Sequence, residues 1–181
     1  MNDGLIPRRY AKALLKFAQE KGQDKRVYAL MQTLGDSFAA QPALGKAVTN
    51  PFVSAADKTK LLMTASGATD KDSVFADFIK LLIANNRIDM MRPVALAYLE
   101  MYRKANNIYL VEITSAAPLG DKEMARLKAL IGSHVGNATV EYETSVDPDL
   151  IGGFVVKIDS ERLDASIKNE LKQLRLKLLS K

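Results

Sequence analysis

Asn106-Asn107-Ile108-Tyr109-Leu110-Val111-Glu112-Ile113-Thr114-Ser115 is the stretch at which the chain changes period. Before it, apolar residues recur three and four apart, the spacing of amphipathic helices. From Ile108 the run is short and β-branched, with Glu112 between Val111 and Ile113, which reads as a strand. The two asparagines stop the helix that precedes it. The boundary therefore falls near residues 104–108. The fold class is α+β: an all-α region over 1–105, then a small β-α-β-β-α domain over 106–181.

Upstream of that boundary, Arg87 to Lys104 reads as one long helix. Asn85-Asn86 separates it from a helix over Lys71 to Ala84. Gly67 closes a helix over Ser54 to Ala65, which starts with Ser54 as N-cap and Asp57 three residues on, a variant of the capping box. Asn50-Pro51 is a break, because the residue before proline avoids the α region. A turn or short helix follows Pro42, and another helix fits Lys25 to Ala39. The first helix has Pro7 near its start, where a missing N–H is harmless, and Gly22 at its end.

Downstream, Pro118-Leu119-Gly120 is a turn and Asp121 to His134 is helical, with Gly132 and Gly136 marking its end. Thr139 to Val146 alternates, with Val140, Tyr142 and Thr144 on one side and Thr139, Glu141 and Glu143 on the other. After the turn at Asp147-Pro148-Asp149, the run Phe154 to Asp159 sets Phe154, Val156 and Ile158 opposite Lys157. Glu141, Glu143 and Lys157 then share the wet face of a small sheet. A last helix is expected from about Glu161 to Leu179.

The 181 residues are 48% apolar and 26% charged, which excludes a disordered chain. Cysteine is absent, so disulfides, thiolate metal sites and cysteine nucleophiles are excluded. His134 is the single histidine; it stands beside glycines and is read as solvent-facing or capping. The longest apolar run, Val94 to Leu99, is far short of the roughly 20 residues that span a bilayer. Residues 1–26 have the basic amphipathic pattern of a mitochondrial presequence, but Asp3, Glu20, Asp24 and the lack of serine favour a mature helix. No apolar h-region marks a secretory signal. The expectation is a cytoplasmic bacterial protein or one docked on a membrane complex.

Nothing in the chain has the spacing of a catalytic motif: there is no Gly-x-Gly-x-x-Gly, His-Glu-x-x-His or Gly-x-Ser-x-Gly. No carboxylate pair sits in an apolar setting that would mark an acid and a base. The net charge of +5 is unevenly spread. Residues 1–105 carry 16 basic and 10 acidic side chains, and residues 106–181 carry 10 and 11. Two regions with different partners are implied. The basic residues lack the interleaved aromatics of a nucleic-acid surface.

Two helices are apolar over too wide an arc. In the first, Ile6, Tyr10, Ala11, Ala13, Leu14, Leu15, Phe17 and Ala18 fill roughly 200°, where one-sided packing needs about 100°. In the helix over 71–84, Val74, Phe75, Ala76, Phe78, Ile79, Leu81, Leu82 and Ile83 span roughly 220°. Each is either sandwiched within the bundle or leaves a side for a partner helix. In the last helix, Leu163, Ile167, Leu171, Leu174 and Leu178 form one narrow stripe, expected to be core against the sheet. Leu176 and Leu179 lie on the far side among Lys168, Lys172 and Arg175, either as scattered exposed residues or as a contact to an external helix.

Pro148-Asp149-Leu150-Ile151-Gly152-Gly153-Phe154 is the most unusual local feature. Paired glycines at a strand entry allow positive φ and close backbone approach. A phosphate loop is excluded because a strand follows rather than a helix opened by Lys-Ser/Thr.

Taken in order, these segments resemble the delta subunits of bacterial F-type ATP synthase, relatives of the mitochondrial oligomycin-sensitivity-conferring protein. The carriers are Arg9-Tyr10-Ala11-Lys12-Ala13-Leu14, Asn50-Pro51, Asn85-Asn86-Arg87, Asp149-Leu150-Ile151-Gly152-Gly153-Phe154-x-Val156, Asp164-Ala165-Ser166 and Leu171-x-x-Leu174. They span nearly the whole chain. The resemblance implies a six-helix N-terminal bundle and a smaller α/β domain. It implies a non-catalytic stator subunit of the peripheral stalk, at the cytoplasmic face of the bacterial cell membrane, with no cofactor, no bound metal, no small-molecule substrate, no nucleic acid and no membrane insertion. The stator would hold the catalytic head against rotor torque so that proton flow drives ATP synthesis.

The resemblance also places the partners. The bundle would take N-terminal helices of alpha subunits in a groove between its first and fifth helices, with Arg9, Tyr10, Ala13, Leu14, Phe17, Phe75, Phe78, Ile79 and Leu82 as its residues. The C-terminal domain would meet the end of the b subunit, with Leu176 and Leu179 as contacts. Gly152, Gly153 and Phe154 would be structural, a tight entry into a buried strand. The basic pI near 9.3 departs from a generic member. The alternative is a helical adaptor of another multi-subunit complex.

Overall fold

The computed structural model describes residues 4–136, 138–159 and 161–179. It divides into two compact units between Tyr102 and Arg103, within the last turn of a helix.

The first unit is helical. Its helices are α1 (Leu5–Glu20), α2 (Asp24–Ala40), α3 (Pro42–Thr49), α4 (Ala55–Ser66), α5 (Ser73–Ala84) and α6 (Met91–Ala105). The breaks follow local chemistry. Gly22 at φ +63° and Gly67 at φ +68° end α1 and α4 in the left-handed region that suits glycine. Ser54 Oγ accepts the Asp57 N–H at 3.1 Å, the N-cap read from the sequence, and donates to the Asp57 carboxylate at 2.7 Å. A single helix from Arg87 is not what forms: a 3-10 turn over Ile88–Met90 precedes α6. Pro93 explains it. Its nitrogen has no hydrogen for the Asp89 carbonyl, and its ring crowds that carbonyl, so the α ladder cannot run through Asp89.

The core of this unit gathers Leu14, Leu30, Met31, Leu34, Leu62, Phe75, Ile79, Leu82, Met91 and Tyr98, all essentially inaccessible. Tyr28 and Tyr102 stack at 4.2 Å between ring centroids. The Tyr98 hydroxyl donates to the Asp24 carbonyl at 3.2 Å, and burial pushes its pKa above the ordinary tyrosine range.

The second unit is built on a four-stranded mixed sheet of order β2-β1-β3-β4, with β1 Ile108–Ser115, β2 Thr139–Val146, β3 Gly153–Ile158 and β4 Glu161–Ser166. β1 pairs in parallel with β2 across the crossover helix α7 (Asp121–Val135) and antiparallel with β3. Leu127 and Ile131 of α7 bury Val111, Ile113 and Val156. The opposite face is wet, as the alternation implied: Glu112 lies directly across from Lys157, with Nζ and Oε1 3.1 Å apart. Arg103 binds Glu141 at 3.0 Å.

One expected element changes type. Glu161–Ser166 is a strand, not the first turns of the last helix, and α8 begins at Ile167 and ends at Leu179. Ile158 pairs with Glu161, leaving a two-residue connection. Asp159 sits in it at φ +48°, a conformation that short hairpins require and aspartate tolerates. Ser160 lies outside the described residues.

Candidate functional site

α1 and α5 lie side by side, with the Tyr10 and Phe78 rings edge to face at 6.5 Å. The wide apolar arcs have two causes. On α5, Val74, Phe75, Phe78, Ile79 and Leu82 are core and Ala76 and Ile83 are half-buried, so burial from within accounts for most of that arc. On α1, Ala11, Leu14, Leu15 and Ala18 face the core. The remainder of α1 is a second edge, where Ile6 and Tyr10 are half-buried and Ala13 and Phe17 are exposed. Tyr10, Ala13 and Phe17 follow one another at helical spacing, so they form one line. Leu81, one turn beyond Phe78, is 47% exposed.

The nine groove residues expected from the sequence therefore separate. Tyr10, Ala13 and Phe17 offer surface, and Arg9 flanks them in solvent. Leu14, Phe75, Phe78, Ile79 and Leu82 are buried in the core of the bundle, with Phe78 at 5% exposure. Among the described residues, Arg9, Lys12 and Lys16 make no ion pair, whereas Arg8 is engaged by Glu100 of α6 at 3.0 Å. Lys21 Nζ stands 5.8 Å from the centre of the Phe17 ring. The edge is thus apolar along its line and positive beside it.

The C-terminal unit carries a second uncovered surface. α7 covers only part of its sheet face. Two clefts, of about 610 and 500 Å³, share Leu127, Leu130 and Phe154. Leu163 lies on that same face, opposite Val156, and is exposed. The stripe expected as core against the sheet is not buried: Leu163, Ile167, Leu171, Leu174 and Leu178 are all exposed, and no residue of α8 is buried. Leu163 belongs to β4 and so does not share a helical face with the others. Leu176 and Leu179 are exposed too, in the part of α8 beyond its first turn, where every described residue is exposed.

The base of α8 is fixed. Asn169 N–H donates to Ser166 Oγ at 3.2 Å, and Ser166 donates through its hydroxyl to Asp164 at 2.6 Å and through its N–H at 3.2 Å. The Ser166 hydroxyl bond holds the Asp164 carboxyl below its usual pKa. Ile167 N–H donates to the Gly152 carbonyl at 3.0 Å, and the Ile167 side chain fills the space a Cβ at Gly152 would need. Gly153 at φ +74° faces the Ala165 carbonyl so closely that no side chain fits. Phe154 is half-buried between the clefts. His134 pairs with Glu161 at 3.1 Å in solvent.

Sequence reasoning missed Phe52, which is 94% exposed in the turn after Asn50-Pro51. Its signal was an aromatic at a proline turn with no helical phase to bury it.

Among the described residues no helix is long and apolar enough to cross a membrane, and no group of three or more metal-ligating side chains gathers. Residues 6–178 match the family described as ATP synthase delta (OSCP) subunit. The ATP synthase subunit delta of Parabacteroides distasonis is 38% identical over 179 residues, 99% of this chain and 98% of that one. That of Bacteroides thetaiotaomicron is 37% identical over 182 residues, covering 100% and 97%. A chain of the Toxoplasma gondii mitochondrial ATP synthase hexamer has the same fold, with a TM-score of 0.73 at 23% identity over 96% of this chain and 97% of that one. By its match along almost its whole length, the chain belongs to the ATP synthase delta (OSCP) subunit family.

Proposed function

We propose that the chain joins the catalytic head to the peripheral stalk through two separate surfaces: the α1–α5 edge takes an N-terminal helix of an alpha subunit, and the C-terminal unit takes the end of the b subunit. The chain is a stator subunit of the F-type ATP synthase, a structural part and not a catalytic one. Its work is mechanical. Rotor torque reaches the head, and a head free to turn would dissipate it, so the joint needs affinity and stiffness. We place it at the cytoplasmic face of the bacterial cell membrane, a reading that rests on its bacterial relatives.

The observation that supports the head contact is the apolar line Tyr10, Ala13, Phe17, half-buried at Tyr10 and exposed at Ala13 and Phe17, beside the packed residues Ala11, Leu14, Leu15 and Ala18 of α1. Arg9 and Lys16 beside it favour a partner helix with an acidic flank, steering encounter more than setting affinity. The test is a calorimetric titration with a peptide of the cognate alpha N-terminal segment. Saturable one-to-one binding is expected, weakened about tenfold or more by Phe17→Asp, because an apolar anchor at an interface is worth over 1 kcal/mol. Unchanged affinity in Phe17→Asp would remove the edge from the binding site.

A further inference from the structure

The apolar residues of α8 recur at Ile167, Leu171, Leu174 and Leu178, with steps of four, three and four. That is the d-a-d-a register of a coiled-coil seam, narrower than the face a helix presents to a sheet. All four are exposed, although the base of the helix is pinned by Ser166, Asp164 and Gly152. The helix is therefore held in place by its first turn, where Ile167 rests partly on Gly152, and left open along its seam from Leu171 onward. In this register the flanking e and g positions are Lys168, Glu170, Arg175 and Lys177. Three of the four are basic.

We propose that α8 is half of a short coiled coil, whose other half is a partner helix with an apolar a/d seam and acidic e and g residues. This rests on the reading above that the C-terminal unit meets a stalk helix, and it names the face, register and charge of that contact. It moves the contact from Leu176 and Leu179, which fall at the outer f and b positions, to the Ile167–Leu178 line. A second copy of this chain is the poorer occupant, since two such seams bring six basic flanking residues against two acidic ones. At 13 residues, α8 spans about 20 Å and offers just under two heptads, so the partner helix must supply helical order of its own.

The test uses the full chain and two synthetic three-heptad peptides with the same Ile/Leu seam, one with Glu at every e and g position and one with Lys. Each repels itself and stays monomeric. By fluorescence anisotropy the Glu peptide is expected to bind at least tenfold tighter than the Lys peptide, with the preference shrinking in high salt. Leu171→Ser with Leu174→Ser is expected to abolish binding while leaving the thermal melt unchanged, because neither side chain is buried. Lys168→Glu with Arg175→Glu is expected to reverse the preference. Equal binding of both peptides, or none to a folded chain, overturns the proposal. So does self-association in sedimentation, or capture by anionic phosphatidylserine vesicles, that the Leu171/Leu174 double variant removes while Glu-peptide binding persists. A parallel titration with the cognate b subunit's C-terminal segment separates the two readings. If that segment binds and ignores the double variant, the stalk reading stands and the seam falls. If it fails to bind while the Glu peptide does, the seam stands and the stalk reading falls.

Discussion

Gly153 shows how closely one residue can be specified. Its φ of +74° and the Ala165 carbonyl in front of it leave no room for a methyl group. Gly153→Ala is expected to cost about 2–3 kcal/mol in urea unfolding, more than an exposed glycine would, because strain and a displaced strand add. Its neighbour Ile151 sits at φ +68° as a β-branched residue, so Ile151→Gly is expected to be neutral or stabilising. The paired glycines were legible as a tight strand entry. The strain at Ile151 was not, since nothing in the letters marks it. Phe78→Asp would bury an unpaired charge and is expected to unfold the bundle, losing about 3–5 kcal/mol, whereas Phe17→Asp keeps its helical circular dichroism. Asp72 adds a pH effect. Arg26 donates to both its oxygens, at 2.8 and 2.9 Å, and Thr69 adds two more bonds, which hold its carboxyl well below the usual range. A lowered folded pKa gives stability that is complete above the ordinary carboxylate value, about 4, and lost as pH falls through the folded one. Asp72→Asn is therefore expected to lose about 1–2 kcal/mol at pH 7 and to flatten the acid limb of the stability curve. Measuring unfolding between pH 7 and pH 3 checks both.

At the scale of elements, helix caps and breaks were written in short range: Ser54 with Asp57, Gly22, Gly67 and Asn50-Pro51 stop and start chain where expected. The error at Glu161–Ser166 has a physical cause. Leu163 fits a helical stripe with Ile167 and Leu171, and equally fits the inward alternation Leu163, Ala165. The choice is made by pairing with β3, from Gly153↔Ser166 to Ile158↔Glu161, which no local pattern contains. Burial was misjudged for the same reason. An apolar stripe states that something must cover it, and the sequence of one chain does not say whether that cover is its own sheet. Since no residue of α8 is itself buried and its anchoring first residues Ile167 to Asn169 are kept, a chain ending at Asn169 is expected to retain its sheet signal and its melting temperature to within a few degrees. A collapse of the C-terminal unit on this truncation would show that α8 holds it.

For the whole molecule, the change of period at Ile108 leads to an expected boundary near residues 104–108, and the structure divides between Tyr102 and Arg103, in the last turn of α6. Each unit has its own core, Tyr98 and Phe75 in one, Ile113 and Ile131 in the other. The charge excess of the first 105 residues lies partly along α1, beside the edge that stays open. The wide arcs found by the helical wheel were half informative. α1 leaves Ala13 and Phe17 of its arc in solvent, whereas α5 spends all of its arc but Leu81 largely on the core, because a central helix in a bundle is packed from several directions at once.

The bare α8 also has a bearing on how a cell would count this protein. Chaperones and proteases recognise exposed apolar side chains, and a copy without partners displays a row of leucines to them. Once the row is covered, that signal disappears. Surplus copies would then be cleared and assembled ones spared, so the number of chains would follow the number of complexes without any dedicated sensor.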